Sequence, residues 1–207
     1  VGDLPLVLRS LRHGLACERF DLVAVDSDDD EILEACRKFS ADICCWKRPS
    51  TLGDDDVKTC AVLRHRIIAS DITSQWITLL QPTIPFRDKT RVVEALDLLE
   101  RSSSWCDSLC GLTPVEGFHP KRMNVLLSGG GMRPYEGVTW NFEPRQNLDS
   151  LYLRSGWIYI CCTNMLKEGS DLLGKRPVGF INKGLELINI DSASDLEFAR
   201  WKAACQK

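Results

Sequence analysis

Apolar positions fall at helical spacing and at strand spacing in turn along most of the chain. Leu8, Leu11 and Leu15 lie three and four residues apart, which predicts an opening helix, and the run FDLVAV (20–25) reads as a short buried strand. The segment DSDDDEILEACRKFSAD places acids at a helix start, where they meet the positive end of the helix dipole. Behind them, Ile32, Leu33, Ala35, Cys36 and Phe39 supply an apolar stripe. Ile43–Trp46 predicts a second strand, and KRPSTLGDDD a loop by its Pro, Gly and Ser content. A helix over 57–69, the strand WITLL (76–80), a helix over 88–103 and the strand DSLCGL (107–112) continue the series. Such alternation predicts an α/β fold of Rossmann-like type, a mostly parallel mixed sheet flanked by helices.

The pattern breaks between Thr113 and Leu153, where NVLL, SGGGM and RPYE suggest a hairpin excursion. It resumes with the strand GWIYICC, a short helix at 164–167, strands at VGFIN and LELINI, and a closing helix from Ser192 whose Ser192 and Asp195 fit a capping box. No internal repeat is visible. The 207 residues suffice for one core, so the expectation is a single domain, 1–207, with the excursion at 113–153 inside it.

A formal net charge of -3 with dispersed Lys and Arg lacks the cationic field that binds nucleic acid. No apolar run reaches the roughly 18–20 residues that span a bilayer, and VGDLPLVLRSLRHGL lacks a signal-peptide layout. A cytoplasmic protein is expected. The ten cysteines include the neighbours Cys44, Cys45 and Cys161, Cys162 within apolar runs, and they match no zinc spacing. They read as reduced thiols used for packing.

Three segments carry candidate chemistry. In LLQPTIPFR (79–87) a strand ends in Gln81, and ligands of open α/β sheets gather at such carboxyl ends. Gln81 and Thr83 offer hydrogen bonds to a base or sugar; Arg87 either meets an anion or fixes the loop, and a rigid connector explains the same residues. In VAVDSDDDEI (23–32) the acids fit a solvated helix start, with Asp28 singled out as a ligand candidate. In LINIDSASDLEFA, Asn189 and Asp191 flank Ile190 and share a face if the segment is a strand. That oxygen pair suits Mg²⁺, and equally a plain strand-end turn. Ser128–Gly131 sits between short strand patterns and reads as a hairpin tip, not a phosphate loop. His119 reads as a loop or interface residue.

Taken in order, VDSDDDEI, KRPSTLGDD, LLQPTIPFR, DSLCGL, HPKRM, PRQNLDSLYLRSGWIYI and INIDSASDL resemble the motifs of the acylneuraminate cytidylyltransferases over about residues 4–204. The resemblance implies Mg²⁺-dependent transfer of CMP from CTP to the anomeric hydroxyl of an acidic nine-carbon sugar, sialic acid or a relative. It implies Asp191 and Arg145 in catalysis, Asp191 and Asn189 at the metal, and Arg48 and Asp28 at the nucleotide. Gln81, Arg87, Tyr152 and Tyr159 then belong to the sugar, and the excursion to a homodimer. Two departures stand out: Asn189 replaces a metal aspartate, and nothing ahead of Gly2 matches the family's first strand and its Gly-, Arg- and Lys-bearing phosphate loop. The implied alternatives are a segment upstream of Val1 that carries this loop, a catalytically impaired relative kept for binding or assembly, and a nucleotidyltransferase for another sugar.

Overall fold

The computed structural model describes residues 1–115, 117–135, 139–140 and 142–205, so part of the excursion (116, 136–138 and 141) lies outside the described residues. Helix α1 (Leu6–Ala16) buries Leu8 and Leu11. Strand β1 (Val23–Ser27) follows, then α2 (Asp30–Phe39), whose cap is Asp29: its carboxylate accepts from the amides of Glu31 and Ile32. Strand β2 (Ile43–Lys47) returns parallel to β1, with Asp26 opposite Trp46. After a 3₁₀ turn at Ser50–Leu52 come α3 (Thr59–Ala69), β3 (Trp76–Leu79), α4 (Lys89–Ser102) and β4 (Ser108–Pro114). The excursion holds the antiparallel hairpin β5 (Asn124–Leu126) and β6 (Met132–Pro134). Gly129 and Gly130 at its tip take φ of 89° and 86°, a region that costs glycine little. Strand β7 (Tyr152–Cys162), α5 (Thr163–Lys167), β8 (Pro177–Ile181) and α6 (Ala193–Ala204) complete the chain.

The strands form a parallel β1–β2 pair and a four-stranded sheet in the order β3-β7-β4-β8. In the larger sheet β7 runs antiparallel to both neighbours, while β4 and β8 are parallel. Three of its four strands share one direction and β7 opposes them, so two of its three neighbour pairs are antiparallel and the sheet is mixed. Among the described residues β1 pairs only with β2 and β3 only with β7, so each presents an open edge. One core packs Val92, Ala95 and Leu99 of α4 on Leu109, Trp157, Ile158 and Ile160 of the sheet; a second joins Leu8, Leu11, Leu33, Cys36 and Ile43 around β1–β2. All ten cysteines are free. Burial pushes the Cys161 thiol up to about 12, which removes any thiolate chemistry there at neutral pH.

The segment LELINI is not a strand. Gly184–Leu187 forms a 3₁₀ turn in which the buried Glu186 carboxylate accepts from the Lys183 amide at 2.8 Å and meets Arg91 at 3.2 Å. A strand there would break both contacts. Leu185, Ile188 and Ile190 instead pack around Phe86 and Ala199.

Candidate functional site

The loop that leaves β3 is fixed from below by Arg87. That side chain is 6% exposed, and all three of its nitrogens are engaged. Nε donates to the Trp157 carbonyl (2.9 Å), Nη1 to the Ile84 carbonyl and Ser10 Oγ (3.2 Å), and Nη2 to the carbonyls of Gln81 (2.7 Å) and Gly156 (3.4 Å). Burial lowers its pKa to about 9, so the group remains a cation at neutral pH. Arg87 is therefore not turned toward a sugar. Of the two roles the sequence leaves open, the geometry shows loop fixing.

Across the loop, β7 is interrupted. Cys110 pairs with Tyr159 but Gly111 pairs with Ser155, so residues 156–158 have no partner on β4. The bulge has local causes: Ser155 Oγ accepts from the Trp157 amide (3.2 Å) and from Asn182 Nδ2 (2.8 Å), and the Trp157 indole donates to the Phe86 carbonyl (3.2 Å). Gly156 presents bare backbone to Gln81, where an added Cβ would lie 1.5 Å from Gln81 Oε1. The Gln81 amide donates to the Gly156 carbonyl at 3.4 Å. Its half-buried carboxamide meets no hydrogen-bond partner among the described residues, which leaves it open to a ligand.

Three extra residues, an odd number, invert the alternation of β7. Tyr159 stands opposite Cys110, Arg154 opposite Leu112 and Tyr152 opposite Pro114, which puts all three on one face of the sheet. Tyr159 is half-buried and its phenol pKa is raised, chiefly by burial and against the pull of Arg154, so it is a neutral hydroxyl at pH 7. Tyr152 is 42% exposed. Motif spacing named both tyrosines but not Arg154, which shares the face of Tyr152 by simple alternation; what a period-two reading misses is that the bulge brings Tyr159 onto that face.

The third segment joins the first directly. The Ile190 amide donates to the Thr83 carbonyl at 2.9 Å, which sets Asn189 and Asp191 against the Gln81 loop. Although no strand forms there, the two side chains do meet: Asn189 Nδ2 donates to Asp191 Oδ2 at 2.6 Å. Asp195 caps α6, accepting from the Ser192 hydroxyl and from the amides of Asp191 and Ser192; these bonds, that of Ser192 first, hold its carboxyl below the usual range. The other carboxylate oxygen of Asp191, Oδ1, has no hydrogen-bond partner among the described residues. Among the described residues no three or more His, Cys, Asp or Glu gather as a metal cage. The Asp191 carboxylate fits Mg²⁺, which fills its shell with water and phosphate oxygens, and the Asn189 amide oxygen joins it by turning in place of the Nδ2 that now faces Asp191. A groove of about 550 Å³, walled by Asn189, Leu187, Phe198 and Lys202 among others, opens beside this segment.

The fourth cluster sits at the carboxyl ends of β1 and β2. The Asp28 carboxylate packs over Gly53, where a Cβ would come within 2.4 Å of Oδ2. Arg48 is held by Asp26: Nε donates to Oδ1 (2.8 Å) and Nη2 to the backbone carbonyl (2.5 Å). Asp28 and Arg48 thus come together, but no hydrogen bond among the described residues joins them to the Gln81 loop or to Asp191.

A model of the family described as cytidylyltransferase matches residues 1–120, more than half of the chain. The chain belongs to the cytidylyltransferase family. It is 24% identical to the N-acylneuraminate cytidylyltransferase of Escherichia coli O18:K1:H7 over 95% of its length, spanning 45% of that protein. It is 25% identical to a pseudaminic acid cytidylyltransferase of Campylobacter jejuni, covering 95% of this chain and 84% of that one. A CMP-N,N'-diacetyllegionaminic acid synthase of Legionella pneumophila is 22% identical, with 92% and 82% covered. The fold matches a CMP:2-keto-3-deoxy-manno-octonic acid synthetase complexed with CTP at a TM-score of 0.69 and 14% identity, over 100% of this chain and 90% of that one. A 4-diphosphocytidyl-2C-methyl-D-erythritol synthase from Anaerococcus prevotii scores 0.68 at 12% identity, covering 100% and 88%.

Within this cytidylyltransferase fold some motif residues turn out to be structural. Asp107 of the DS motif accepts from the amides of Lys175 and Arg176 and so docks the loop that enters β8. His119 is 4% exposed and its Nδ1 accepts from the Lys121 amide, which makes it the cap of the Pro120–Arg122 turn. Arg145 is exposed in a 3₁₀ turn, Arg145–Asn147, and no hydrogen bond or ion pair joins it to Asp191. Asp26 and Arg66 were missed by sequence reading: they meet across 40 residues, with nothing local to signal the pair.

Proposed function

We propose that the chain transfers CMP from CTP to the anomeric hydroxyl of an acidic nonulosonic sugar and releases pyrophosphate. The observation that carries this reading is the bond from Ile190 to Thr83, which brings an acidic segment suited to a metal-bound phosphate against a loop with a free carboxamide. Gln81 hydrogen-bonds the sugar, while Tyr152, Tyr159 and Arg154, on one sheet face, offer hydroxyls and a cation to an acidic substrate. Asp28 and Arg48 hold the nucleotide, and Arg145 serves the reacting phosphates. Asp191 with the amide oxygen of Asn189 would hold Mg²⁺, whose chemistry is to neutralise charge on the α-phosphate and the leaving pyrophosphate.

The same reading makes the protein a homodimer through the excursion. Phe118 (79% exposed), Leu126 (77%) and Phe142 (90%) form apolar surface of a kind that a monomer seldom leaves in water. It also places the protein in the cytoplasm, where thiols stay reduced; among the described residues no helix is long and apolar enough to cross a membrane.

A second reading, a relative kept for binding or assembly, is favoured by the open edges of β1 and β3 and by the neutral Asn189. The test is pyrophosphate release from CTP with a panel of nonulosonic acids and Mg²⁺, using the chain alone and the chain extended at its amino end. Release with at least one sugar supports transfer. Silence of both forms, with CTP still bound, supports the second reading.

A further inference from the structure

We propose that Asp26 is a positioning residue that acts through Arg48. The inference rests on the reading of Arg48 as a nucleotide contact and goes beyond it by naming what sets that arginine. Asp26 lies on β1 opposite Trp46 of β2, at the carboxyl ends of both strands. Its two oxygens each take one guanidinium through Nε: Oδ1 from Arg48 at 2.8 Å and Oδ2 from Arg66 of α3 at 2.6 Å. The second nitrogen of each is also tied, Arg48 Nη2 to the Asp26 carbonyl and Arg66 Nη2 to the Lys47 carbonyl (2.9 Å). Arg66 lies over the Trp46 ring, 5.1 Å from its centroid.

This arrangement grips each arginine on its inner edge and leaves Nη1 of both without a partner among the described residues. Side-chain exposures of 13–24% for the three groups mean that the ion pairs are partly desolvated and hold their geometry more firmly than surface pairs. The acids that follow do not share the task. Asp29 caps α2, Asp30 pairs with Lys47 at 2.7 Å, and Asp28 packs on Gly53. Of these acids, Asp26 is the one that takes two arginines, Arg48 just past β2 and Arg66 of α3. It fixes the direction in which the free end of Arg48 points, so a nucleotide meets an oriented donor whose ordering cost has already been met by folding. Arg66 serves as the second cation that keeps the carboxylate in place.

The experiment is calorimetric titration of CTP with Mg²⁺ into the unchanged chain and into Asp26→Asn, Arg48→Ala, the double variant and Arg66→Met, with melting temperatures measured alongside. Asp26→Asn is near-isosteric and is expected to raise the Kd for CTP about tenfold, the scale of one charge-assisted hydrogen bond. In the Arg48→Ala background the same change is expected to do nothing further. Arg66→Met, which leaves the Asp26–Arg48 pair intact, is expected to stay within about threefold of the unchanged chain. A purely structural Asp26 would lower the melting temperature and weaken CTP to the same degree with or without Arg48. That result overturns the proposal, as does a normal Kd for Asp26→Asn when Arg48→Ala is weakened. If the unchanged chain fails to bind CTP, or Arg48→Ala binds normally, the reading of Arg48 itself falls.

Discussion

Replacing Gly156 by Ala isolates what Gln81 does, because the new methyl acts on one neighbour. The added Cβ would lie 1.5 Å from Gln81 Oε1, 2.6 Å from Cδ and 3.3 Å from Cβ, and from no other residue's atoms among the nearest three. Gly156 does not take a positive φ, so alanine meets no backbone penalty. The side-chain end of Gln81 must swing away, which costs about 0.5–1.5 kcal/mol for a displaced rotamer, a fall of a few degrees in melting temperature. Its carboxamide then leaves the place where a sugar would meet it. Losing one neutral hydrogen bond is worth about 0.5–1.5 kcal/mol, and that converts to a KM for the sugar raised by roughly 2- to 13-fold. The KM for CTP should not move. Steady-state pyrophosphate release with each substrate varied in turn, on Gly156→Ala, Gln81→Ala and both together, reads the effect. The two changes act on one contact, so the double variant should be no worse than the weaker single one. Additive losses, or a Gly156→Ala enzyme with normal sugar KM beside an impaired Gln81→Ala, would show that the Gln81 carboxamide does its work elsewhere.

Three further outcomes are expected. Asp191→Ala should cost far more Mg²⁺-dependent turnover than Asn189→Ala, since only Asp191 brings a formal charge; equal losses in a Mg²⁺ titration would remove that placement. Arg87→Met should lower unfolding free energy by about 2–4 kcal/mol in urea, because the buried carbonyls of Ile84 and Trp157 each lose a donor; a change below 1 kcal/mol, by the same scale, would contradict the loop-fixing role. His13 is set below its ordinary 6.5, at about 4, first by burial and then by the Arg87 charge. The unfolded chain therefore takes a proton first, and stability falls as pH drops from about 6.5 to about 4 by roughly 1–2 kcal/mol after allowance for partial exposure. His13→Leu should flatten that part of the pH profile, seen by urea melts at pH 7 and 5.

The elements that local sequence specifies were legible. The Ser192 and Asp195 capping box and the glycine tip at 129–130 depend on neighbours within a few residues, and each forms where its pattern points; the first strand forms at Val23–Ser27, so Phe20–Leu22 of the apolar run stay outside it and Leu22 is exposed. The strand expected at LELINI failed because its fate depends on Arg91, 95 residues away, which meets the Glu186 carboxylate. Arg87 was ambiguous for the same reason: an arginine at a loop end binds an anion or a set of carbonyls according to whether Ser155–Trp157 bulges beneath it, and only the three-dimensional pairing of β7 with β4 decides that. Asp26 hid among acids that looked alike in sequence, and was distinguished by which of them lies within reach of Arg48 and Arg66.

The bulge at 156–158 also constrains how this strand can change over time. A substitution there alters one side chain, but an insertion or deletion of a single residue would rotate everything on one side of it by half a turn. Tyr152 and Arg154 would then trade places with Leu153, and an apolar side chain would stand beside Tyr159 on the candidate substrate face. Length at this point is thus more tightly held than identity. Between the two tyrosines, an alignment of relatives that opens a gap of one residue would describe a different site.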